Sequence, residues 1–250
     1  MMKIFQYVIT LISYILRPEK RKLIRISYSL LNKTGLEIGG PSSFFNLKSY
    51  FPVYVFAKRI DGINYSNETV WEGKIEEGLN YKYLGRKKGY QFICEASDLK
   101  DIKINNYDFL LSCHSLEHIA NPIKTLKNGY DVLKKEGKII LVLPDKDFTF
   151  DHKRPYTTFE HLRQDFNTET DENDTTHFEE VIQLHDIAKD SYLNSVDELI
   201  SRTKDNFSNR CIHHHVYSLE LLSELLIYCG FKVTYQQKAN PFHLVIIGEK

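Results

Sequence analysis

The chain has 250 residues, the size of one large domain or of one core carrying an insertion. Hydrophobic residues make up 42% and charged residues 26%, an ordinary globular composition that excludes a disordered chain. Thirty-three Lys and Arg balance thirty-three Asp and Glu, so the chain lacks the concentrated positive field of a nucleic-acid binder. The charge is uneven beneath that neutral total. Residues 1–33 carry seven basic residues against Glu19 alone, and residues 145–190 carry thirteen acids against five bases. Cys94, Cys113, Cys211 and Cys229 show no C-x-x-C and no disulfide-framework spacing, which reads as free thiols in a reducing, cytoplasmic setting.

Residues 1–16 are strongly apolar and are closed by Pro18 and the run Glu19-Lys20-Arg21-Lys22. A helix of that length spans roughly 24 Å, short of the ~30 Å hydrocarbon core of a bilayer. Lys3, Gln6, Thr10, Ser13 and Arg17 make a narrow polar stripe, opposite a wide arc of Ile4, Val8, Leu11, Ile12 and Ile15. No small-residue cleavage site follows, so a secretory signal is not expected. The preferred reading is an ordinary first helix packed on the domain or on a partner subunit. The alternative is peripheral membrane contact through residues 1–17, at the inner membrane face, with the basic residues meeting anionic lipid. Residues 1–33 are thus expected to be an accessory helical segment ahead of a domain spanning 34–250.

From residue 35 onward strand-like and helix-like segments alternate. Strands are expected at 36–38, 53–57, 91–94, 107–113 and 138–143, with a helix at 123–133 before the fifth. Continuous apolar strands alternating with helices indicate a parallel sheet covered on both faces. Near the end, residues 218–228 read as an amphipathic helix stopped by Gly230. Residues 231–236 and 243–248 follow as two strands joined through Asn240-Pro241, an antiparallel hairpin closing the sheet. Between 145 and 215 lie about seventy polar, acidic residues, too many for a structureless loop, so helices are expected there and residues 151–212 read as a lid.

The chemistry-bearing motifs sit where these strands end. Strand one runs into Gly39-Gly40-Pro41, and glycines there let the backbone approach a ligand at the sheet edge. Asp61 comes 22 residues after Gly39, at the expected end of strand two, where an acid binds ribose hydroxyls. Glu95-Ala96-Ser97-Asp98-Leu99 follows strand three, and His114-Ser115-Leu116-Glu117-His118 follows strand four.

In these motifs the chain resembles the class I S-adenosylmethionine-dependent methyltransferases, over about residues 34–148 and again 213–250. The resemblance implies an α/β, Rossmann-like fold: a seven-stranded, mostly parallel sheet with an antiparallel C-terminal hairpin and a His-rich acidic insertion after strand five. It implies S-adenosyl-L-methionine as cofactor. Glu37 and Gly39 match the acid-x-Gly motif whose loop holds the methionine end, with Gly40 supplying clearance. Asp61 matches the ribose acid, Glu95 and Ala96 the acid-Ala pair beside the adenine, and His114 falls in the loop under the cofactor. The family usually has glycines two and four positions beyond Gly39, where this chain has Pro41 and Ser43. A narrower resemblance, carried also by residues 145–155 and His213-His214-His215-Val216-Tyr217, is to bacterial methyltransferase-like proteins of undefined substrate, for which surface-polysaccharide modification is a setting. The acceptor implied is a small molecule or a saccharide.

Seven of the ten histidines lie between 151 and 215, and histidine suits removal of a hydroxyl proton near neutral pH. Asp151-His152 and His213-His214-His215 adjoin the points where the chain leaves and re-enters the sheet. His152 is the first choice for the base, with Asp145 and His214 as the other catalytic candidates. The same acids and histidines could hold a divalent cation, whose ligands sequence does not specify. Two other classes stand beside the enzyme reading. His114-x-x-Glu117-His118 matches the inverted zinc-peptidase pattern, although it begins straight after a buried strand and not on an established helix. A cofactor-binding scaffold without catalysis is the third.

Overall fold

The computed structural model describes residues 2–85 and 87–250, with side chains from Phe5 onward; Met1 and the side chains of Lys3 and Ile4 lie outside the described residues. In chain order the helices are α1 (Met2–Leu16), α2 (Arg21–Ser29), α3 (Val53–Phe56), α4 (Pro122–Val132), α5 (Phe159–Asn167), α6 (Phe178–Leu184), α7 (Val196–Lys204), α8 (Asn206–Asn209) and α9 (Leu219–Tyr228). The strands are β1 (Thr34–Ile38), β2 (Arg59–Asn64), β3 (Glu68–Thr69), β4 (Gly73–Lys74), β5 (Gly78–Leu84), β6 (Lys87–Ile93), β7 (Tyr107–Cys113), β8 (Leu133–Pro144), β9 (Lys232–Ala239) and β10 (His243–Glu249). Eight strands form one sheet in the order β5-β6-β2-β1-β7-β8-β10-β9, and β3 and β4 form a separate two-stranded ribbon.

The five central strands, β6 to β8, pair in parallel. Apolar residues of these strands point to one or other of two buried faces. Leu36, Leu110 and Leu141 pack toward Ile123 and Leu126 of α4 and Leu222 and Leu226 of α9. Ile60, Phe109, Leu111 and Val142 pack toward Leu23 and Leu30 from the α2 region and Tyr54 of α3. A strand buried on both faces lies between two layers, which is why β7 and the second half of β8 read as nearly continuous hydrophobic runs. Asn121 caps α4 by accepting from the Lys124 N–H, and Ser218 caps α9 by accepting from the Leu221 N–H. The hairpin β9–β10 adds to β8 in antiparallel sense.

Two expectations change. Residues 53–57 are not the second strand: Val53–Phe56 follow Pro52 as a short helix with all four side chains buried. β-branched and aromatic content suggested a strand, but burial on every side let tertiary packing override propensity. The slot beside β1 belongs to Arg59–Asn64. The sheet also has eight strands, not seven, because Gly78–Leu84 pairs antiparallel to β6 at the edge. Tyr81 and Tyr83 face in while Lys82 faces out, a period-two pattern too short to stand out in the sequence.

The segment between β8 and α9 contains α5 to α8 and a small apolar cluster of its own, Val181, Leu193, Leu199 and Ile212. At the other end of the chain, α1 turns Thr10 inward and stacks Tyr7 on Phe56. Its wide apolar arc, with Phe5, Val8, Leu11, Ile12, Ile15 and Leu16, points to solvent. Of the expected packing on the domain or on a partner subunit, the first is corrected for this arc: the side that turns inward holds Gln6, Thr10 and Ser13. No helix among the described residues is long and apolar enough to cross a membrane.

Candidate active site

β1 lies between β2 and β7, so the chain reverses its direction of travel across the sheet there. In open α/β sheets the crevice at the carboxyl ends of such neighbouring strands is where ligands bind. A cavity of about 850 Å³ opens at that point, bordered by Gly39, Asn64, Glu95, His114 and, from the later helical segment, Arg210 and His213. That volume suits a nucleoside-sized ligand with a small second molecule.

Gly39 ends β1 with φ +70, and a Cβ there would lie 2.3 Å from Ser115 Oγ. Glycine is required twice over, by the left-handed backbone and by the close approach. Glu37 lies fully buried beneath this turn and does not border the cavity. Its carboxylate accepts from Tyr54 Oη and Tyr81 Oη, each at 2.8 Å, and from the Ser42 N–H at 3.1 Å. Burial pushes its pKa up to about 7 although all three donors oppose the rise. Glu37 therefore shapes the turn from below. Gly40 leaves room for it, since a Cβ at that position would lie 2.3 Å from Glu37 Cδ.

Asp61 is not at the end of its strand. It sits mid-strand in β2, away from the cavity, accepting from Tyr107 Oη at 2.9 Å, the Tyr90 N–H at 2.8 Å and Arg59 Nη2 at 2.9 Å. The strand assigned one segment too early moved the acid's apparent position. β2 ends at Asn64, which borders the cavity together with Glu72. Asn64 Oδ1 accepts from Trp71 Nε1 at 3.4 Å.

Glu95 and Ala96 do border the cavity, just after β6. Arg210 Nη2 donates to Glu95 Oε1 at 2.8 Å, and Arg210 Nη1 lies 2.8 Å from Glu172 Oε2. Its guanidinium also covers the Tyr65 ring, 4.7 Å from the centroid. Burial raises the Glu95 pKa and the Arg210 charge counters it. His114 borders the cavity as well, at φ +53, with Nε2 2.9 Å from His243 Nδ1. Burial, with the neighbouring His243 and His213, lowers its pKa to about 3, so the ring is neutral.

The three expected catalytic residues lie elsewhere. His152 Nε2 pairs with Asp186 at 2.7 Å, off the cavity. Asp145 is buried against Lys238 Nζ at 2.7 Å, and His214 is fully buried beside Asn206, 3.2 Å from its Nδ2. The histidine that borders the cavity is a neighbour, His213, backed by Asp151 and Arg154. His213 Nδ1 is hydrogen-bonded to Asp151 Oδ2. Arg154 Nη1, buried, donates to Asp151 Oδ1 at 3.0 Å and to the His213 carbonyl at 2.8 Å. Burial would lower the His213 pKa, but the Asp151 carboxylate outweighs it and the net shift is upward. The contact joins residues 62 apart in sequence, and only the triplet 213–215 hinted at it.

The H-x-x-E-H pattern does not assemble as a peptidase site. Its residues Leu116–His118 form a 3₁₀ turn and not a helix, and although His114 Nδ1 lies 3.8 Å from Glu117 Oε1, the group close enough to share an ion is Glu117, His118 and His213, without His114. Both Glu117 oxygens are buried without a hydrogen-bond partner, and burial pushes this carboxyl up to about 7.

Comparison with known proteins agrees with this geometry. A family model described as a methyltransferase domain matches residues 32–236, and the chain belongs to that family. That family is one of methyltransferases. Among solved structures, an S-adenosylmethionine-dependent methyltransferase from Mesorhizobium loti is 10% identical, with 93% of this chain and 96% of that one covered at a TM-score of 0.52. A Listeria monocytogenes protein assigned as an S-adenosylmethionine-dependent methyltransferase is 18% identical, covering 93% and 97% at a TM-score of 0.50. The Burkholderia thailandensis 1,6-didemethyltoxoflavin-N1-methyltransferase, solved with 1,6-didemethyltoxoflavin and S-adenosylhomocysteine, is 12% identical, covering 94% and 77% at 0.47. The first two likenesses show a shared fold. No curated protein matches the chain.

Proposed function

We propose that the chain methylates an oxygen of a small polar acceptor, a sugar hydroxyl or other saccharide-linked oxygen of a surface-glycan precursor. The observation that carries this reading is His213 on the wall of the cavity, held from behind by Asp151. A hydroxyl needs a base, and an imidazole held by a carboxylate through Nδ1 leaves Nε2 for the proton.

The cavity fits the cofactor. Gly39 and Ser115 give backbone clearance for the methionine end, Asn64 and Glu72 offer polar groups to the ribose, and Glu95 and Ala96 border the adenine end. When bound, S-adenosylmethionine supplies a methyl group already activated on its sulfonium, so the protein's work is alignment, exclusion of water and removal of the acceptor proton. His213 takes that proton at Nε2, and Asp151 with Arg154 keeps the ring in place as it becomes charged. Residues 151–212 act as the lid of a 34–250 catalytic domain, with the Arg210–Glu95 ion pair as its latch over the cavity. Residues 1–33 are accessory. A cytoplasmic setting at the inner membrane face suits the reading, because the four cysteines are free and α1 turns an apolar arc outward beside Arg17 and Lys22.

The test is a panel of nucleotide sugars and glycan fragments incubated with the protein and S-adenosylmethionine, read by mass spectrometry for an added methyl group. Methylation of an oxygen supports the reading. Transfer to nitrogen or carbon acceptors alone overturns it.

A further inference from the structure

We propose that His161, His177, His215 and Asp165 form a Zn²⁺ site in the helical segment between β8 and α9, outside the cofactor cavity. The site stands independently of the acceptor's identity. His161 and Asp165 lie one turn apart on α5, His177 precedes α6, and His215 lies where the chain returns toward α9. One ring nitrogen from each of the three histidines lies within 4.8 Å of the others. His161 Nε2 is 3.1 Å from His177 Nε2 and 3.5 Å from Asp165 Oδ2, and His215 Nε2 is 3.8 Å from the same oxygen. A tetrahedral shell with bonds of ~2.0–2.1 Å places its ligand atoms ~3.3–3.4 Å apart. The four side chains already stand near that spacing.

A second observation points to a ligand. Asp165 is 6% exposed, and its Oδ2 faces these imidazoles with no hydrogen-bond partner. His215 is 1% exposed; its Nε2 lies 3.2 Å from the Ala120 carbonyl, and its Nδ1 has no partner. Buried polar atoms without partners are costly and rare in folded proteins, and a cation held among these groups would satisfy the carboxylate oxygen. Three imidazoles and one carboxylate, with no thiolate, form a donor set that suits zinc and leaves out the all-oxygen ions calcium and magnesium. His177 also adjoins Asp174 and His214, whose Nδ1 has no hydrogen-bond partner and lies 3.6 Å from Asp174 Oδ2, but there the carboxylate oxygen is already satisfied. Asp174 Oδ2 accepts from Thr176 Oγ1 at 2.8 Å, and His214 Nε2 lies 3.2 Å from Asn206 Nδ2.

The ion would join α5, the start of α6 and the returning segment at His215 in one clasp. The segment's own apolar cluster is only Val181, Leu193, Leu199 and Ile212, small for the number of residues it must order. Fixing His215 also fixes the backbone two residues away at His213, on the cavity wall. The ion is thus a structural element that holds the cavity's outer wall.

The experiment uses the full-length protein, free of any affinity tag, with zinc content measured by plasma mass spectrometry. About one Zn²⁺ per chain is expected, removable by a strong chelator with a lower melting temperature and restored by zinc alone. Cobalt substitution should give the visible bands of tetrahedral coordination without a thiolate charge-transfer band. His161→Gln and Asp165→Asn should each weaken zinc binding more than tenfold with helical content retained. His118→Gln, which alters the Glu117–His118–His213 group at the cavity, should keep the ion. Folded wild-type protein that takes up neither zinc nor cobalt at micromolar concentration overturns the site. So does zinc that survives His161→Gln and is lost in His118→Gln.

Discussion

Glu37 offers a prediction that joins the glycine turn to the stability of the whole chain. Its carboxyl titrates at about 7 in the fold, because full burial outweighs the donors Tyr54, Tyr81 and Ser42. In the unfolded chain a glutamate titrates at about 4.3. A carboxyl with a raised folded pKa costs nothing below the unfolded value. It costs progressively more as pH rises toward 7, because the unfolded chain ionises first, and the cost levels off above. Between pH 5 and pH 8 the two pKa values give a loss of about 2–3 kcal/mol. Glu37→Gln removes the titration while its amide oxygen still accepts from the Ser42 N–H, and any fixed cost of the amide cancels between the two pH values. Urea unfolding without added cofactor should therefore show the variant gaining about 2–3 kcal/mol on the wild type between pH 5 and pH 8. Parallel stability curves for the two proteins would refute the reasoning and mean that the three donors, not burial, set the acidity of Glu37.

His213→Ala should leave cofactor affinity within a few-fold while lowering turnover ~10²-fold or more, and Asp151→Asn should lower it less; near-wild-type turnover in His213→Ala removes that residue from proton transfer. Calorimetry should find that Asn64→Ala binds S-adenosylhomocysteine roughly tenfold to a hundredfold more weakly, for a loss of about 1–3 kcal/mol. Asp61→Ala should instead lower stability by about 1–3 kcal/mol with affinity little changed, since its acceptors serve Tyr107, Tyr90 and Arg59; the reverse pattern would put Asp61 back on the ribose. Removal of residues 1–17 should spare cofactor binding, and vesicles with anionic lipid should retain the full chain but not the shortened one, with salt releasing it. Equal retention of both forms leaves α1 without a membrane role.

Much of the architecture was legible because it rests on local pattern. The apolar runs of β7 and β8, the capped helices α4 and α9 and the closing hairpin all follow from periodicity and end signals within a dozen residues. The same holds for Gly39, whose role comes from its own backbone, and for Glu95 and Ala96, which follow a strand directly. The misplacement of β2 shows the limit. Val53–Phe56 is the more apolar of two short segments, and Arg59–Asn64 carries only Ile60 and Ile63 as apolar side chains, yet it is the latter that takes the place beside β1. Moving that strand replaced Asp61 by Asn64 at the cavity.

The proposed catalytic pair and the histidine cluster belong to the second kind of information. Asp151 with His213, Glu95 with Arg210, and His161 with His177 and His215 are contacts between segments that share no local pattern. Sequence showed that acids and histidines were concentrated after strand five, because composition survives without coordinates. Which of them face the cavity, which face one another and which are spent on Lys238 or Asp186 depends on how four short helices with a small apolar cluster settle over the sheet. Local rules bias each helix to form, but the direction each side chain takes is set by packing against residues that the chain brings from far away.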